Sequence, residues 1–323
     1  MTSVSDDLKT NRLVSAVLTR YYVENKSQAQ IARELELSTA KVNRLLKQAR
    51  EQGLVEIIIH TPYKNIFDIE QRLCGLTETR EAIVMPRFSD DSDYTLEAIG
   101  REAADCFLQH LKDGDTICMG GGRTLQAFVE AVAPKRRYAV RVVPAIGGVQ
   151  GNHHTDVNYL VAELARKLGG QAYQLHAPAF VDTKAERDAL LSLRQVSEIL
   201  ALARQATIAI VGVGSVTPLS ASYFQFTSLD TIAMKEIIDN EKGAGEILAN
   251  IYNAQGQQCA PDYAERVIAL DLAALKTIPL TIGVAATHNK ILPLYGALRG
   301  GVLDVVITDE GVATAVLEQL ESK

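Results

Sequence analysis

Three groups of residues in this 323-residue chain have types and spacings that could do chemistry. The first is cationic. STAKVNRLLKQAR, residues 38–50, holds Lys41, Arg44, Lys47 and Arg50 and no acid, in a chain whose formal net charge is −6. Such a stretch can neutralise phosphates, with Lys47 and Arg50 better placed for the phosphate backbone, and Thr39, Ala40, Lys41, Asn43 and Arg44 could reach base edges or phosphates. The second is rich in glycine. GDTICMGGGRT sets Gly120, Gly121 and Gly122 before Arg123 and Thr124, and IGGVQG (146–151, with Gly147) and VGVGS (211–215) repeat the theme. Turns of this kind aim backbone N–H groups at an anion, and Arg123 and Thr124 add donors. None is an ordered dinucleotide GxGxxG or a phosphate-binding P-loop, and each alone is also compatible with simple chain reversal. The third group is isolated polar residues between apolar runs. Glu246 in GAGEIL could accept sugar hydroxyls, and Lys290 in ATHNK could reach a phosphate or a carbonyl. A solvated cap is the plain alternative for both, and Asp309 is equally suited to capping a helix.

Metal chemistry is not expected. His153 and His154 form a pair without HxH or HExxH context, and Cys74, Cys106, Cys118 and Cys259 are far apart and lack ligand spacing. Scattered thiols fit a reducing cytoplasm. The sequence has no amino-terminal apolar leader and no run of about 18 apolar residues, so neither export nor a membrane span is expected. No cofactor is implied.

The elements that must position these groups differ along the chain. Hydrophobic residues make up 47% and charged residues 22%, which is the balance of a packed globular protein, and the length suits two or three domains. Residues 1–60 hold nine Lys or Arg against seven Asp or Glu, whereas the rest holds 24 against 32, an asymmetry that suggests two tasks. Leu13, Ala16, Val17 and Val23 give the stripe of a first helix, from about Asp7 to Asn25. Ser27 caps a second, QAQIARELEL, and Ser38 a third. In the third, Val42, Leu45, Leu46 and Ala49 fall at i, i+3, i+4 and i+7, which puts Lys41, Asn43, Arg44 and Lys47 outside the buried face. Two short helices joined by a tight turn, the second basic, make a helix-turn-helix, with 54–60 as a strand that serves as wing or link. A bundle with a merely solvated basic face is the alternative, and a membrane-surface helix fits less well for want of large aromatics.

Beyond a boundary at Pro62–Tyr63 and a short helix near 65–75 that could serve in dimerisation, strand and helix alternate. Strands are expected at 81–85, 116–120, 141–146, 207–214, 280–286 and 302–308, with a short one at QAYQL. A single long helix is expected over 184–204. Alternation of this kind means a doubly wound, mostly parallel, Rossmann-like sheet in an α/β domain, which binds ligands beyond the carboxyl ends of its strands.

SQAQIARELELSTAKVNRLLKQAREQGLVEI, GDTICMGGGRTL, IGGV, VGVGSV, GAGEILANIYNAQG, IGVAATHNK and VLDVVITDEGVATAVL, in that order and over nearly the full length, resemble the SorC/DeoR family of bacterial sugar-catabolism regulators. The resemblance implies a (winged) helix-turn-helix in residues 1–61, with Gln28, Ser38, Thr39, Ala40, Lys41, Asn43, Arg44 and Lys47 toward double-stranded operator DNA. It implies an effector and oligomerisation domain in 62–323, similar in fold to sugar-phosphate isomerases. A sugar or sugar phosphate would lie at Gly121, Gly122, Arg123 and Thr124, with Gly147, Asn158, Glu246 and Lys290 around it. MGGGRT stands where the family frequently has W-G-x-T, and Glu246 where many members have Asp. The resemblance implies a homodimer or homotetramer, and a dimer also follows from one helix-turn-helix reading only a half-site. The alternative, a sugar-phosphate isomerase or deaminase with a DNA-binding arm, would need a general base near the reacting carbon, and no paired carboxylates or convincing His constellation supplies one.

Overall fold

A computed structural model describes residues 12–55, 64–86, 92–149, 153–217 and 231–322. The chain divides into two compact units, Met1–Pro62 and Tyr63–Lys323.

In the first unit, α1 covers 12–23 and its last turn, Thr19–Val23, widens into a π-helix. It is followed by α2 (Gln28–Glu34) and α3 (Thr39–Glu51). Ser27 and Gln30 form a reciprocal capping box on α2, and the Ser38 hydroxyl accepts from the Lys41 N–H at the start of α3. Glu36 takes a left-handed φ of 53° in the turn between them, a conformation glycine would adopt more readily. Val42, Leu45 and Leu46 of α3 close over Val17, Ile31 and Ala32. Beyond Leu54 and Val55, the strand expected over 54–60 lies outside the described residues, as does the Pro62–Tyr63 boundary.

The second unit opens with α4 (Lys64–Leu76), whose Ile66, Ile69 and Leu73 enter the unit's own core while Phe67 stays exposed. Seven strands follow in an all-parallel sheet: β1 (Glu81–Met85), β2 (Thr116–Met119), β3 (Arg141–Pro144), β4 (Gln171–Ala172), β5 (Ile208–Gly212), β8 (Leu280–Ala285) and β9 (Val305–Asp309). Their order is β1-β9-β8-β5-β2-β3-β4. Runs such as TICM and IAIV are buried throughout because both faces are covered. Successive side chains alternate between the two layers. Ile208 and Ile210 of β5 join α5 (Ser92–His110), α6 (Arg123–Ala131) and α7 (Val157–Leu168); Ala209 and Val211 join α4, α13 (Ile291–Arg299) and α14 (Glu310–Glu321).

Two expectations are corrected. Residues 184–204 form two helices, α8 (Lys184–Ser192) and α9 (Arg194–Arg204), separated by an extended Leu193. At 3.6 residues per turn, one continuous helix would point Leu190 and Leu191 away from Val196, Ile199 and Leu200. The break lets all five cover one cluster with Leu175, Ala177 and Ile268. GAGEIL is more than a polar island between apolar runs: it forms β6 (Gly243–Ile247), paired antiparallel with β7 (Asn250–Asn253). Among the described residues the remaining α-helices of the unit are α10 (Thr231–Asp239), α11 (Pro261–Ala264) and α12 (Leu272–Lys276). Among the described residues no helix is long and apolar enough to cross a membrane.

Candidate functional site

The strand order reverses direction at one place. From β2 the sheet runs to β3 and β4 on one side and to β5, β8 and β9 on the other. A crevice opens at such a switch point, outside the carboxyl ends of the strands. Here those ends carry Gly120–Gly122 after β2, Ile146–Gly147 after β3 and Gly212 on β5. All of them line one cleft of about 830 Å³ including its open mouth. Close packing explains two of the glycines. A Cβ on Gly121 would lie 2.7 Å from the Thr155 carbonyl, and one on Gly147 would overlap the backbone of Pro178. Gly122 has φ 107° and starts α6 with no side-chain cap, so the first turn of α6 opens on this end of the sheet without a capping residue of its own.

The β6–β7 hairpin brings the acid. Gly214, just past β5, exchanges both backbone hydrogen bonds with Glu246 (2.8 and 3.0 Å), which holds β6 over the cleft. Gly214 must lack a side chain, because a Cβ there would overlap the Glu246 carboxylate. Glu246 Oε2 accepts from the Ala249 N–H at 2.8 Å. Leu248 and Ala249, the two turn residues, both have positive φ (51° and 60°), the backbone of a primed hairpin turn that usually selects glycine or asparagine. Asn250 fixes this strained turn, its amide nitrogen lying 2.7–3.1 Å from the carbonyls of Ile247, Leu248 and Leu270. Burial raises the Glu246 carboxyl above the usual range, against the Ala249 N–H and the charge of Lys290, which lower it. Burial likewise lowers Lys290, and Glu246 opposes that shift. The two feel each other without approaching to an ion pair.

Two aromatic residues also line the cleft. Phe180 and Tyr263 stack with centroids 4.8 Å apart and an interplanar angle of 18°, and the Arg266 guanidinium lies 4.8 Å from the Phe180 ring. An aromatic pair and one acid lining the same cleft suit a ligand with both C–H and O–H faces. Sequence reasoning missed this pair: the two rings are far apart in the chain and neither sits in a motif.

Of the expected effector residues, Gly121, Gly122, Gly147 and Glu246 line the cleft, and Lys290 faces Glu246 electrostatically. Arg123 and Thr124 form the first turn of α6 and are not among the lining residues. Asn158 is also set back. Its Oδ1 accepts from the Leu175 N–H at 2.9 Å and its Nδ2 donates to the Leu175 carbonyl at 3.3 Å, so it behaves as a clamp between α7 and the chain after β4. Asp309 caps α14, accepting from Val312 N–H and Thr287 N–H.

In the first unit, Ser38, Thr39, Ala40, Lys41, Asn43, Arg44 and Lys47 are exposed along α3, and Gln28 is half-buried at the start of α2. The ion pairs here fall mostly elsewhere: Arg20 and Lys26 converge on Glu34 at 3.1 and 2.8 Å. On α3, Lys47 makes only a loose contact with Glu51 at 3.8 Å, and among the described residues no carboxylate pairs with Lys41 or Arg44. The α3 face is therefore a largely uncompensated cationic ridge.

Comparison with known proteins agrees with both units. A family model described as "Putative sugar-binding domain" matches residues 61–318, and one for region 4 of sigma-70 matches 12–52. The chain is 28% identical over 318 residues to the sorbitol operon regulator of Klebsiella pneumoniae, covering 97% of this chain and 99% of that one. It is also 28% identical over 309 residues to the erythritol catabolism regulatory protein EryD of Brucella abortus, covering 94% and 95%. The crystal structure of the full-length Klebsiella regulator SorC superposes with a TM-score of 0.73 at 27% identity, over 95% of this chain and 98% of that one. These relatives are named as regulators, not enzymes. A helix-turn-helix with an exposed cationic ridge, joined to a parallel-sheet unit of the sugar-binding family, places this chain in the SorC/DeoR family of DNA-binding transcriptional regulators.

Proposed function

We propose that the switch-point cleft binds a small sugar, polyol or sugar phosphate, and that its occupancy sets the affinity of α3 for an operator. One observation carries this reading: glycine turns from β2, β3 and β5, a buried acid on a hairpin and an aromatic stack converge on a single cleft. Glu246 accepts ligand hydroxyls, and the Phe180–Tyr263 pair packs the ligand's C–H face. The Gly121 backbone, the start of α6 and Lys290 receive an anionic group where the ligand has one, the Gly122 N–H being held by the Thr155 carbonyl. Arg123 and Thr124 tune the α6 terminus, and Asn158 holds the floor in place. In the first unit, Lys41, Asn43 and Arg44 approach base edges. Gln28, Ser38, Thr39, Ala40 and Lys47 position the helix on phosphate and groove. The protein acts in the cytoplasm as a homodimer or homotetramer, presenting two recognition helices to two half-sites, with Tyr63 onward as the effector and assembly unit.

A thermal-shift screen of the purified chain against sugars, polyols and their phosphates tests the reading. A true effector at a hundredfold excess over its Kd stabilises by about 2.7 kcal/mol. The stabilisation should fall sharply in Phe180→Ala. A hit that is unaffected by both Phe180→Ala and Glu246→Gln would move the site elsewhere.

A further inference from the structure

At the edge of the sheet opposite the cleft, three side chains of metal-ligand type converge. Cys106 and His110 are one turn apart on α5, which puts thiol and imidazole on the same helix face. Glu81, the first residue of β1, meets them there. The ligand atoms of the three lie within 4.8 Å of one another. His110 Nε2 is 3.9 Å from Glu81 Oε2, and Cys106 Sγ is 3.9 Å from His110 Nδ1.

The protonation of the ring follows from its other contact. His110 Nδ1 is 2.9 Å from the Cys106 carbonyl oxygen, which can only accept, so Nδ1 carries the proton. In the neutral ring, Nε2 then has a lone pair that faces the carboxylate of Glu81. Two acceptors oppose each other at a separation suited to a cation between them. A backbone carbonyl holding the far nitrogen is also the usual support of a metal-bound histidine.

The surroundings are anionic. Glu102 lies one turn before Cys106 on α5, and Glu70 of α4 accepts from the Val84 N–H at 2.8 Å. Glu81 and Glu102 act on both the Cys106 thiol and Glu70. Among the described residues, no Lys or Arg pairs with Glu70, Glu81 or Glu102, although ion pairs are frequent elsewhere on the unit.

We infer that Glu81, Cys106 and His110 form a site for a divalent transition-metal ion of the zinc class. One sulfur, one nitrogen and one oxygen donor suit that borderline-soft ion. Bonds of about 2.0–2.3 Å set tetrahedral ligands roughly 3.5 Å apart, so His110 Nε2 and Glu81 close slightly while the Cys106 thiol, which lies on the Nδ1 side of the ring, rotates toward Nε2. The fourth position falls to water. Burial, with Glu81 and Glu102, pushes the Cys106 thiol up to about 12, so the metal-free protein holds a thiol. On binding, the S–H bond breaks, a metal–sulfur bond forms and the proton passes to solvent. The ion would join β1 to α5 beside α4, far from the carboxyl-end cleft.

The test is titration of the chelator-treated, full-length protein with Co²⁺ followed by absorption spectroscopy. One equivalent per chain should bind, with tetrahedral d–d bands and a thiolate-to-cobalt charge-transfer band, and Zn²⁺ should displace it. Cys106→Ser should abolish the charge-transfer band. His110→Gln and Glu81→Gln, at partly exposed positions that fold without difficulty, should each weaken Co²⁺ at least about tenfold. Failure of the wild-type chain to saturate at one equivalent would overturn the assignment. So would a charge-transfer band that survives Cys106→Ser, or affinities unchanged in both His110→Gln and Glu81→Gln.

Discussion

Glu246 is where the chemistry of the cleft is most exposed to pH. Its carboxyl is raised by burial, and Lys290 is lowered by burial. A ligand hydroxyl that donates to Glu246 binds more tightly when the carboxylate is ionised. Affinity for a neutral sugar or polyol therefore rises as pH climbs through the raised Glu246 pKa, at a pH above that of an ordinary glutamate. For an anionic effector a second limb appears, with affinity falling as pH passes the lowered Lys290 pKa, short of where a free lysine would titrate. Glu246→Gln should erase the acidic limb and weaken binding by about tenfold, the difference between a charged and a neutral acceptor. Calorimetric Kd values across the pH range would show this. An acidic limb that persists in Glu246→Gln would assign it to another group.

At the scale of elements, α3 and the β6–β7 hairpin make separable contributions. Lys41 and Arg44 have no carboxylate partner among the described residues, so each is available to a phosphate or base without first breaking an ion pair. Arg44→Ala and Lys41→Ala should each weaken operator binding and make the slope of log K against log salt shallower by about 0.9 for every phosphate no longer neutralised, while effector-induced thermal stabilisation is retained. Equal loss of both activities would contradict a division of labour between the units. In the hairpin, Asn250→Ala removes the clamp on a turn with two left-handed non-glycine residues. It should cost about 1–3 kcal/mol in denaturant unfolding and loosen the effector affinity as well. The caps at Ser27 and Ser38, the α3 stripe and the strand runs of the sheet are legible in the sequence because each is written in local spacing. The hairpin is not, since its identity depends on Gly214 pairing with Glu246 and on a turn made by Leu248 and Ala249, residues with no turn signature. Leu193 gives no local signal either, because only the distant Leu175 and Ile268 show which way each half of 184–204 must face. Cys106 and His110 carry no message in the spacing of the cysteines alone; their separation of four becomes meaningful once α5 is a helix and β1 lies beside it.

For the whole molecule, the proposed control is a thermodynamic linkage between a cleft in one unit and a ridge in the other. The family places both on one chain, and linkage constrains them whatever the path between them: if the effector changes operator affinity by some factor, the operator must change effector affinity by the same factor. Couplings of this kind usually amount to about 5–150-fold. Operator Kd should therefore be measured with and without saturating effector, and effector Kd with and without saturating operator, at one salt concentration, since phosphate contacts make either number alone depend on ionic strength. The two ratios should agree in size and direction, and the sign will distinguish an effector that releases the operator from one that promotes binding. Phe180→Ala should leave operator Kd in the absence of effector unchanged, raise effector Kd both with and without operator, and bring the operator ratio toward one at an effector concentration that just saturates the unsubstituted protein. If the ratios differ, binding at the two sites is not a closed cycle of the same species, and a change of assembly state with DNA or effector would have to be included in it.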